Sequence, residues 1–303
     1  MPGALPEALA SRQRRLRCLV NGEPRFDIDI LDRGLAYGDG LFETIAVRLG
    51  RPCCWLDHLD RLALGAARLR LPLPSPGRLQ AEARQLLDGI EVGSLKIMLT
   101  RGSSARGYRP PPQPQPTRIL FVDERLDDQS RIRDGDDIVA DRRAEQGIRV
   151  RLCDTRLGIN PQLAGLKHLN RLEQVLARSE WSEPAIAEGL MLDAEGALVC
   201  GTMSNLFLVT VEGLQTSMID RCGVAGTARS KTLRLAREAG LRVQERRLTL
   251  DDLVKAQGAF LTNALIGVWP IRSFAGRDFE LSLLPWPLIE RVRAQLLQPE
   301  SLW

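Results

Sequence analysis

Residues 163–180 read LAGLKHLNRLEQVLARSE, a stretch with one lysine, Lys167, set among Leu, His and Asn. Leu166, Leu169, Leu172 and Leu176 recur at steps of three and four. That spacing predicts an amphipathic helix, with Arg171, Glu173, Gln174 and Arg178 on its other faces. Lys167 stands at its start, after the loop RLGINPQLAG at 156–165. The 42 basic residues include only four lysines: Lys96, Lys167, Lys231 and Lys255. Lys96 shares a strand face with Met98 and Thr100, while Lys231 and Lys255 fall on charged helix faces. At a helix start the dipole disfavours an added proton, and burial would disfavour it further. An amine with a lowered pKa can form a Schiff base. On spacing alone, a solvated surface lysine is the alternative.

The pattern is α+β on both sides of this stretch. LRCLV at 16–20, the Asn-Gly turn and RFDIDI at 25–30 read as strand, turn, strand. LFETIAVRL (41–49), SLKIMLTRG (94–102) and RILFVDE (118–124) read as strands. WLDHLDRLALGAARLRL (55–71) and RLQAEARQLLDGI (78–90) read as helices. Residues 125–136 are polar and charged, as a linker would be. IRVRLCDTRL (148–157) restarts as a strand. Residues 188–217 read as three short strands, 230–240 as a helix, 243–274 as strand, short helix and strand, and 287–298 as a closing helix. The predicted organisation is an N-terminal extension (1–16), a small domain (17–124), a linker (125–136) and a larger domain (137–303) that carries Lys167. Irregular alternation in both halves predicts two α+β domains with mixed sheets, flanking helices and an active cleft between them.

Composition narrows the function. The net charge is +4, and the arginines are interleaved with Asp and Glu rather than gathered in one stripe. Aromatic residues are only 5% of the chain, so nucleic acid is not the expected partner. Anionic small molecules suit the arginines better. No apolar run is long enough to span a bilayer, and the first fifteen residues lack a secretory pattern. The expected location is cytoplasmic, with no membrane partner. The six cysteines form no CxxC pair and have no His at ligand spacing, so no metal site is expected.

A Schiff-base lysine serving pyridoxal 5'-phosphate needs a phosphate cradle and a partner for the pyridine nitrogen. GVAGTARSKTLRLAREAG, residues 223–240, suits the cradle: a Gly-rich turn opens a helix, and free backbone N–H groups can face an anion. An ordinary glycine turn is the plainer reading.

Seven segments, in order, resemble one family: LDRGLAYGDGLFET (31–44), HLDRL (58–62), LKIMLTRGSSARGY (95–108), RLGINPQLAGLKHLNRLEQVLARS (156–179), LMLDAEGALVCGTMSNLF (190–207), GVAGTAR (223–229) and TNALIGVWPI (262–271). They resemble the aminodeoxychorismate lyase family, within the fold-type IV (branched-chain and D-amino-acid aminotransferase-like) pyridoxal-phosphate enzymes. YGDGLFET, GTMSNLF and the lysine are shared across the fold group. RGSSARGY and LAGLKHLNRLEQVLARS are more specific to the lyases.

The resemblance implies roles. Lys167 would carry the cofactor and act as general base. Arg61 would grip the phosphate, with the backbone amides of Thr227 and Ala228. Asn263 would lie on the cofactor and substrate side. Tyr37, Arg101, Arg106 and Tyr108 would line the substrate side, where guanidinium forks suit carboxylates. Arg101 and Arg106 read equally as plain loop surface. Cys200 stands where the group usually has a glutamate that keeps the pyridine nitrogen protonated, and a thiol is a weak donor and acceptor. The implied reaction converts 4-amino-4-deoxychorismate to 4-aminobenzoate and pyruvate in folate synthesis, in a homodimer. The alternatives are a D- or branched-chain amino-acid aminotransferase and a non-catalytic cofactor-binding protein.

Overall fold

The computed structural model describes residues 16–124, 142–300 and 303. The expected linker and nearly all of the N-terminal extension lie outside the described residues. The chain divides into two α+β units. The first comprises residues up to Ser130 with Lys167–Asn170 and Gln298–Trp303; the second comprises Arg131–Leu166 and Arg171–Leu297. Lys167 therefore groups with the first unit, not with the larger domain expected to carry it.

The first unit is built on a fully antiparallel sheet of β1 (Leu16–Val20), β2 (Glu23–Pro24), β3 (Gly40–Arg48), β4 (Arg51–Pro52), β5 (Val92–Thr100) and β6 (Thr117–Glu124). Their order is β2-β1-β6-β5-β3-β4. The Asn21-Gly22 turn adopts positive φ at both residues, 56° and 91°, as a tight hairpin requires. The expected strand at 25–30 is absent. Pro24 ends the ladder, and Asp29 turns the chain by accepting from the Leu31 N–H at 2.9 Å. Three helices follow: α1 (Arg33–Tyr37), α2 (Trp55–Leu69) and α3 (Pro76–Leu87). Helix α2 buries Trp55, His58, Leu59, Leu62 and Ala66, whereas Leu56, which shares the helical spacing of Leu59, Leu62 and Leu69, is 54% exposed.

The stretch at 163–180 is helical only at its end. The backbone of 167–169 lies against the edge of β3 instead: the Phe42 N–H donates to the Lys167 carbonyl (2.9 Å) and the Leu169 N–H to the Gly40 carbonyl (3.0 Å). Those sheet-type bonds compete with the i to i−4 bonds of a helix and win here, because they satisfy groups on both partners. Within that expected stripe, Leu166 is buried, but Leu172 and Leu176 are 69% and 53% exposed.

The second unit continues with α4 (Arg142–Gln146), β7 (Ile148–Leu152), α5 (Leu172–Arg178), β8 (Ile186–Leu192), β9 (Leu198–Gly201), β10 (Asn205–Thr210) and β11 (Gly213–Ser217). Residues 188–217 thus form four strands rather than three. After them come α6 (Thr227–Glu238), β12 (Val243–Arg246), α7 (Leu250–Lys255), β13 (Gly258–Asn263), β14 (Gly267–Phe274), β15 (Arg277–Asp278) and α8 (Trp286–Leu296). The sheet order is β12-β11-β10-β13-β14-β7-β8-β9, with β15 on β14. Strand β9 returns to β10 through the Cys200–Asn205 pair and closes a ring of strands. The sheet is mixed: β7 runs parallel to β8 and β14, and β11 to β12. Leu190, Leu206, Leu208, Leu261, Trp269 and Ile271 are central to its core. No helix among the described residues is long and apolar enough to cross a membrane.

Candidate active site

In the first unit, the backbone pairing with β3 fixes Lys167, and its Nζ lies 4.1 Å from the centroid of the Phe42 ring. The next residue on β3, Glu43, is 1% exposed. His58 and Arg61 stand three apart on α2, so they share a face, and both reach Glu43. The His58 Nδ1 lies 2.6 Å from Glu43 Oε2, and the Arg61 Nε donates to Glu43 Oε1 at 2.8 Å. A second bond joins Arg61 Nη2 to Glu43 Oε2. Burial alone would raise the Glu43 pKa, but the Arg61 charge and the His58 and Arg61 hydrogen bonds outweigh it and hold it at about 2. Burial lowers the His58 pKa; the Glu43 bond opposes this, and the charges of Arg61 and Lys167 reinforce it. His58 is therefore neutral with its proton on Nδ1, Glu43 is an anion, and Arg61 is held by its Nε/Nη2 edge. Neither Glu43 in FET nor His58 in HLDRL is marked by sequence alone, because their pairing joins residues 15 apart on a strand and a helix.

The loop at 101–108 is prebuilt by a second network. Arg33, 3% exposed, donates from Nε to Asp39 Oδ2 (2.8 Å), from Nη1 to Ser104 Oγ (3.2 Å) and the Gly107 carbonyl (2.9 Å), and from Nη2 to the Tyr108 carbonyl (2.9 Å). Arg101 is also buried. Its Nε and Nη2 donate to Asp39, and its Nη1 and Nη2 donate to the Arg70 and Leu69 carbonyls. Arg101 thus braces the loop's base, with its fork bonded inside the unit. Burial alone would raise the Asp39 pKa, but its bonds to Arg101 and Arg33 lower it on balance. Beyond the brace, the Tyr37 hydroxyl accepts from the Gly107 N–H at 3.2 Å, and the Tyr37 and Tyr108 rings lie 5.4 Å apart. Tyr108 is 84% exposed and Arg106 is exposed, so both remain available to a ligand. Nothing in the sequence marked Arg33, because three of its four partners lie more than 70 residues away.

In the second unit, the turn 223–226 opens α6. The first intrahelical bond runs from the Ser230 N–H to the Gly226 carbonyl, so the amides of Thr227 and Ala228 precede the helical ladder. No side chain caps this end, and its first turn holds no acidic residue. The Arg229 guanidinium is directed to the Ser217 carbonyl and Glu245. The turn is tied to the chain before Lys167: Gly165 N–H donates to the Gly223 carbonyl and Ala225 N–H to the Gly165 carbonyl, at 3.0 and 3.1 Å. It is also tied to β10 by Asn205, whose Nδ2 donates to the Val224 carbonyl. An uncapped helix start with a fixed turn suits a phosphate. Within the first unit, a lysine whose backbone is fixed against β3 suits an aldehyde cofactor.

Cys200 lies in an apolar cluster with Cys153, Met191, Trp181 and Cys222. Burial pushes its thiol pKa up, so it brings no charge. Arg171, its own pKa lowered by burial, exerts an electrostatic influence on Cys200 and was not singled out from sequence. The Asn263 carboxamide shapes its own turn, accepting from the Leu265 and Ile266 amides (both 2.8 Å) and donating to the Met203 carbonyl (3.2 Å). The missed anchor of that region is Glu188, fully buried on β8. It accepts from the Thr202 and Ser204 hydroxyls and from the Thr202 and Met203 amides. No cluster of metal ligands occurs among the described residues.

The sequence matches the family described as Amino-transferase class IV over residues 40–274. It is 32% identical to the aminodeoxychorismate lyase of Vibrio harveyi, covering 91% of this chain and 98% of that protein. The crystal structure of 4-amino-4-deoxychorismate lyase from Pseudomonas aeruginosa matches with a TM-score of 0.83 and 40% identity, over 93% of this chain and all of that one. The D-alanine aminotransferase of Bacillus licheniformis is 28% identical, over 89% of this chain and 90% of its own length.

Proposed function

The chain belongs to the class IV aminotransferase family, and from that premise we propose that it is a pyridoxal-phosphate-dependent lyase converting 4-amino-4-deoxychorismate to 4-aminobenzoate and pyruvate. The observation that carries this choice within the family is the 40% identity and near-complete overlap with a solved lyase, against 28% with an aminotransferase. The neutral, buried Cys200 supports it, since it offers no carboxylate to a pyridine nitrogen.

In this reading Lys167 binds the cofactor, Arg61 and the amides of Thr227 and Ala228 take its phosphate, and Asn263 shapes the neighbouring turn. When bound, pyridoxal phosphate withdraws electrons from the substrate carbon that bears the amine and so acidifies its proton. Lys167 Nζ takes that proton as general base and supplies one to the departing enolpyruvyl group. Loss of that group leaves an aromatic ring, which makes the reaction effectively irreversible. Tyr37, Arg106 and Tyr108 face the substrate, with guanidinium and hydroxyl donors suited to its carboxylates. Exposed Phe26, Ile30, Leu31 and Leu35, 54–78% accessible, support a homodimer. The proposed setting is cytoplasmic.

The test is a coupled assay in which a purified synthase makes aminodeoxychorismate from chorismate and glutamine, and 4-aminobenzoate is followed by fluorescence. Product with wild type and none with Lys167→Ala is expected. Amino transfer to a 2-oxoacid without 4-aminobenzoate would replace the lyase with an aminotransferase. A visible cofactor band without either turnover would mark a silent binder.

A further inference from the structure

We propose that Glu43 is a positioning residue that, buttressed by His58, fixes the Arg61 guanidinium for the cofactor phosphate and sets it relative to Lys167. The inference rests on the functional reading above and goes beyond it, since neither Glu43 nor His58 has a role there.

The geometry supports a positioning device rather than an ordinary core ion pair. Two consecutive residues of β3 address the two groups the cofactor needs. Phe42 holds Lys167 through its backbone N–H and places its ring 4.1 Å from Nζ. Glu43 holds Arg61 through both carboxylate oxygens. The Lys167 backbone and the Arg61 guanidinium are thus both tied to one strand. The bidentate hold consumes the Nε/Nη2 edge of Arg61 and turns its other edge away from Glu43. The second contact to Glu43 comes from His58 Nδ1, which stops the carboxylate from rotating about its own side chain. Both Glu43 and His58 are 1% exposed, so water does not substitute for either partner.

The charge balance has the same logic. A half-buried arginine without a counter-ion would be compensated only when phosphate arrived, and until then the site would carry an uncompensated cation. With Glu43 in place, the guanidinium is neutralised and oriented before any anion binds. The binding energy of the phosphate is then not spent on ordering a long side chain.

The experiment measures equilibrium binding to the full-length apoprotein, by absorbance and fluorescence titration, of pyridoxal phosphate and of pyridoxal, which lacks the phosphate. Wild type, Arg61→Ala, Glu43→Gln and His58→Gln are compared. We expect Glu43→Gln to weaken pyridoxal phosphate by about tenfold or more while changing pyridoxal by no more than about twofold, with His58→Gln smaller in the same direction. Arg61→Ala should abolish most of the preference for the phosphorylated form. If Glu43→Gln and His58→Gln weaken both ligands equally, or neither, while Arg61→Ala still loses the phosphate preference, the positioning role is overturned and the cofactor reading survives. If Arg61→Ala keeps the preference, the assignment of Arg61 to phosphate falls, and the inference with it. Should Glu43→Gln fail to fold, His58→Gln, which keeps the carboxylate–guanidinium pair, decides the question by the same ratio.

Discussion

Asn205 and Gly226 are fitted to each other. The Gly226 N–H donates to Asn205 Oδ1 at 3.2 Å, Asn205 Nδ2 donates to the Val224 carbonyl at 2.9 Å, and a Cβ on Gly226 would lie 2.2 Å from that same Oδ1. The side chain of β10 thus holds the turn before α6 at a distance that excludes any larger residue. Gly226 has φ of −67°, so its requirement is space rather than backbone freedom.

Gly226→Ala should therefore displace Asn205 and loosen the turn without imposing backbone strain. The expected result is a loss of about 1–3 kcal/mol in stability, from strain and an unmade buried hydrogen bond, and weaker retention of pyridoxal phosphate. Urea unfolding of the apoprotein and dialysis of the loaded protein check the two effects. Unchanged retention would remove the turn from the phosphate site.

The pH dependence of stability should show His58. Its folded pKa is depressed, so below the unfolded value of about 6.5 the unfolded chain takes up a proton that the native protein refuses. Stability contributed by neutral His58 is present at pH 7.5 and is lost as pH falls through that value. The expected loss between pH 7.5 and 5.5 is about 1 kcal/mol from this group. Glu43, also depressed, acts in the same direction only at much lower pH, toward about 2. Denaturant midpoints for wild type and His58→Gln across this range should converge at acid pH. Parallel curves would contradict the assignment.

Arg33→Lys keeps the charge and loses the fork. One ammonium group cannot satisfy Asp39, Ser104, Gly107 and Tyr108 together. The 104–108 loop should lose its fixed shape while Lys167 and Arg61 stay in place. Steady-state kinetics should show KM for aminodeoxychorismate raised about tenfold with kcat changed far less, and cofactor affinity unaltered. A fall in kcat alone would sever the loop from substrate binding.

The C-terminal segment should act as a clasp for the first unit. Trp303 meets Trp55 edge-on at 4.8 Å, and the Glu300 N–H donates to the Pro52 carbonyl at 3.1 Å. Trp303→Ala should cost about 1–3 kcal/mol through lost apolar burial and the aromatic pair. Thermal unfolding would register it as a lowered Tm, and an unchanged Tm would show the segment to be dispensable.

The sequence by itself determined the α+β class, the presence of α2, β3, β5 and β6 to within two residues, the Asn-Gly hairpin and the candidate lysine. Each of these depends on local rules: apolar periodicity, turn residues with positive φ, and residue types in motifs. The tertiary structure decided what those rules do not reach. The stretch around Lys167 has helical spacing, yet the edge of β3 offers its backbone better-satisfied hydrogen bonds. Pro24 and Asp29 end a strand that alternation alone would continue. The Arg101 fork meets Asp39 and two distant carbonyls, and Arg33, Glu43, His58, Glu188 and Asn205 gain their significance mainly from partners that lie apart from them in the chain. Electrostatic and hydrogen-bonding roles depend on distances of about 3 Å between groups that the sequence separates by 15 to 75 residues, and only packing brings such groups together.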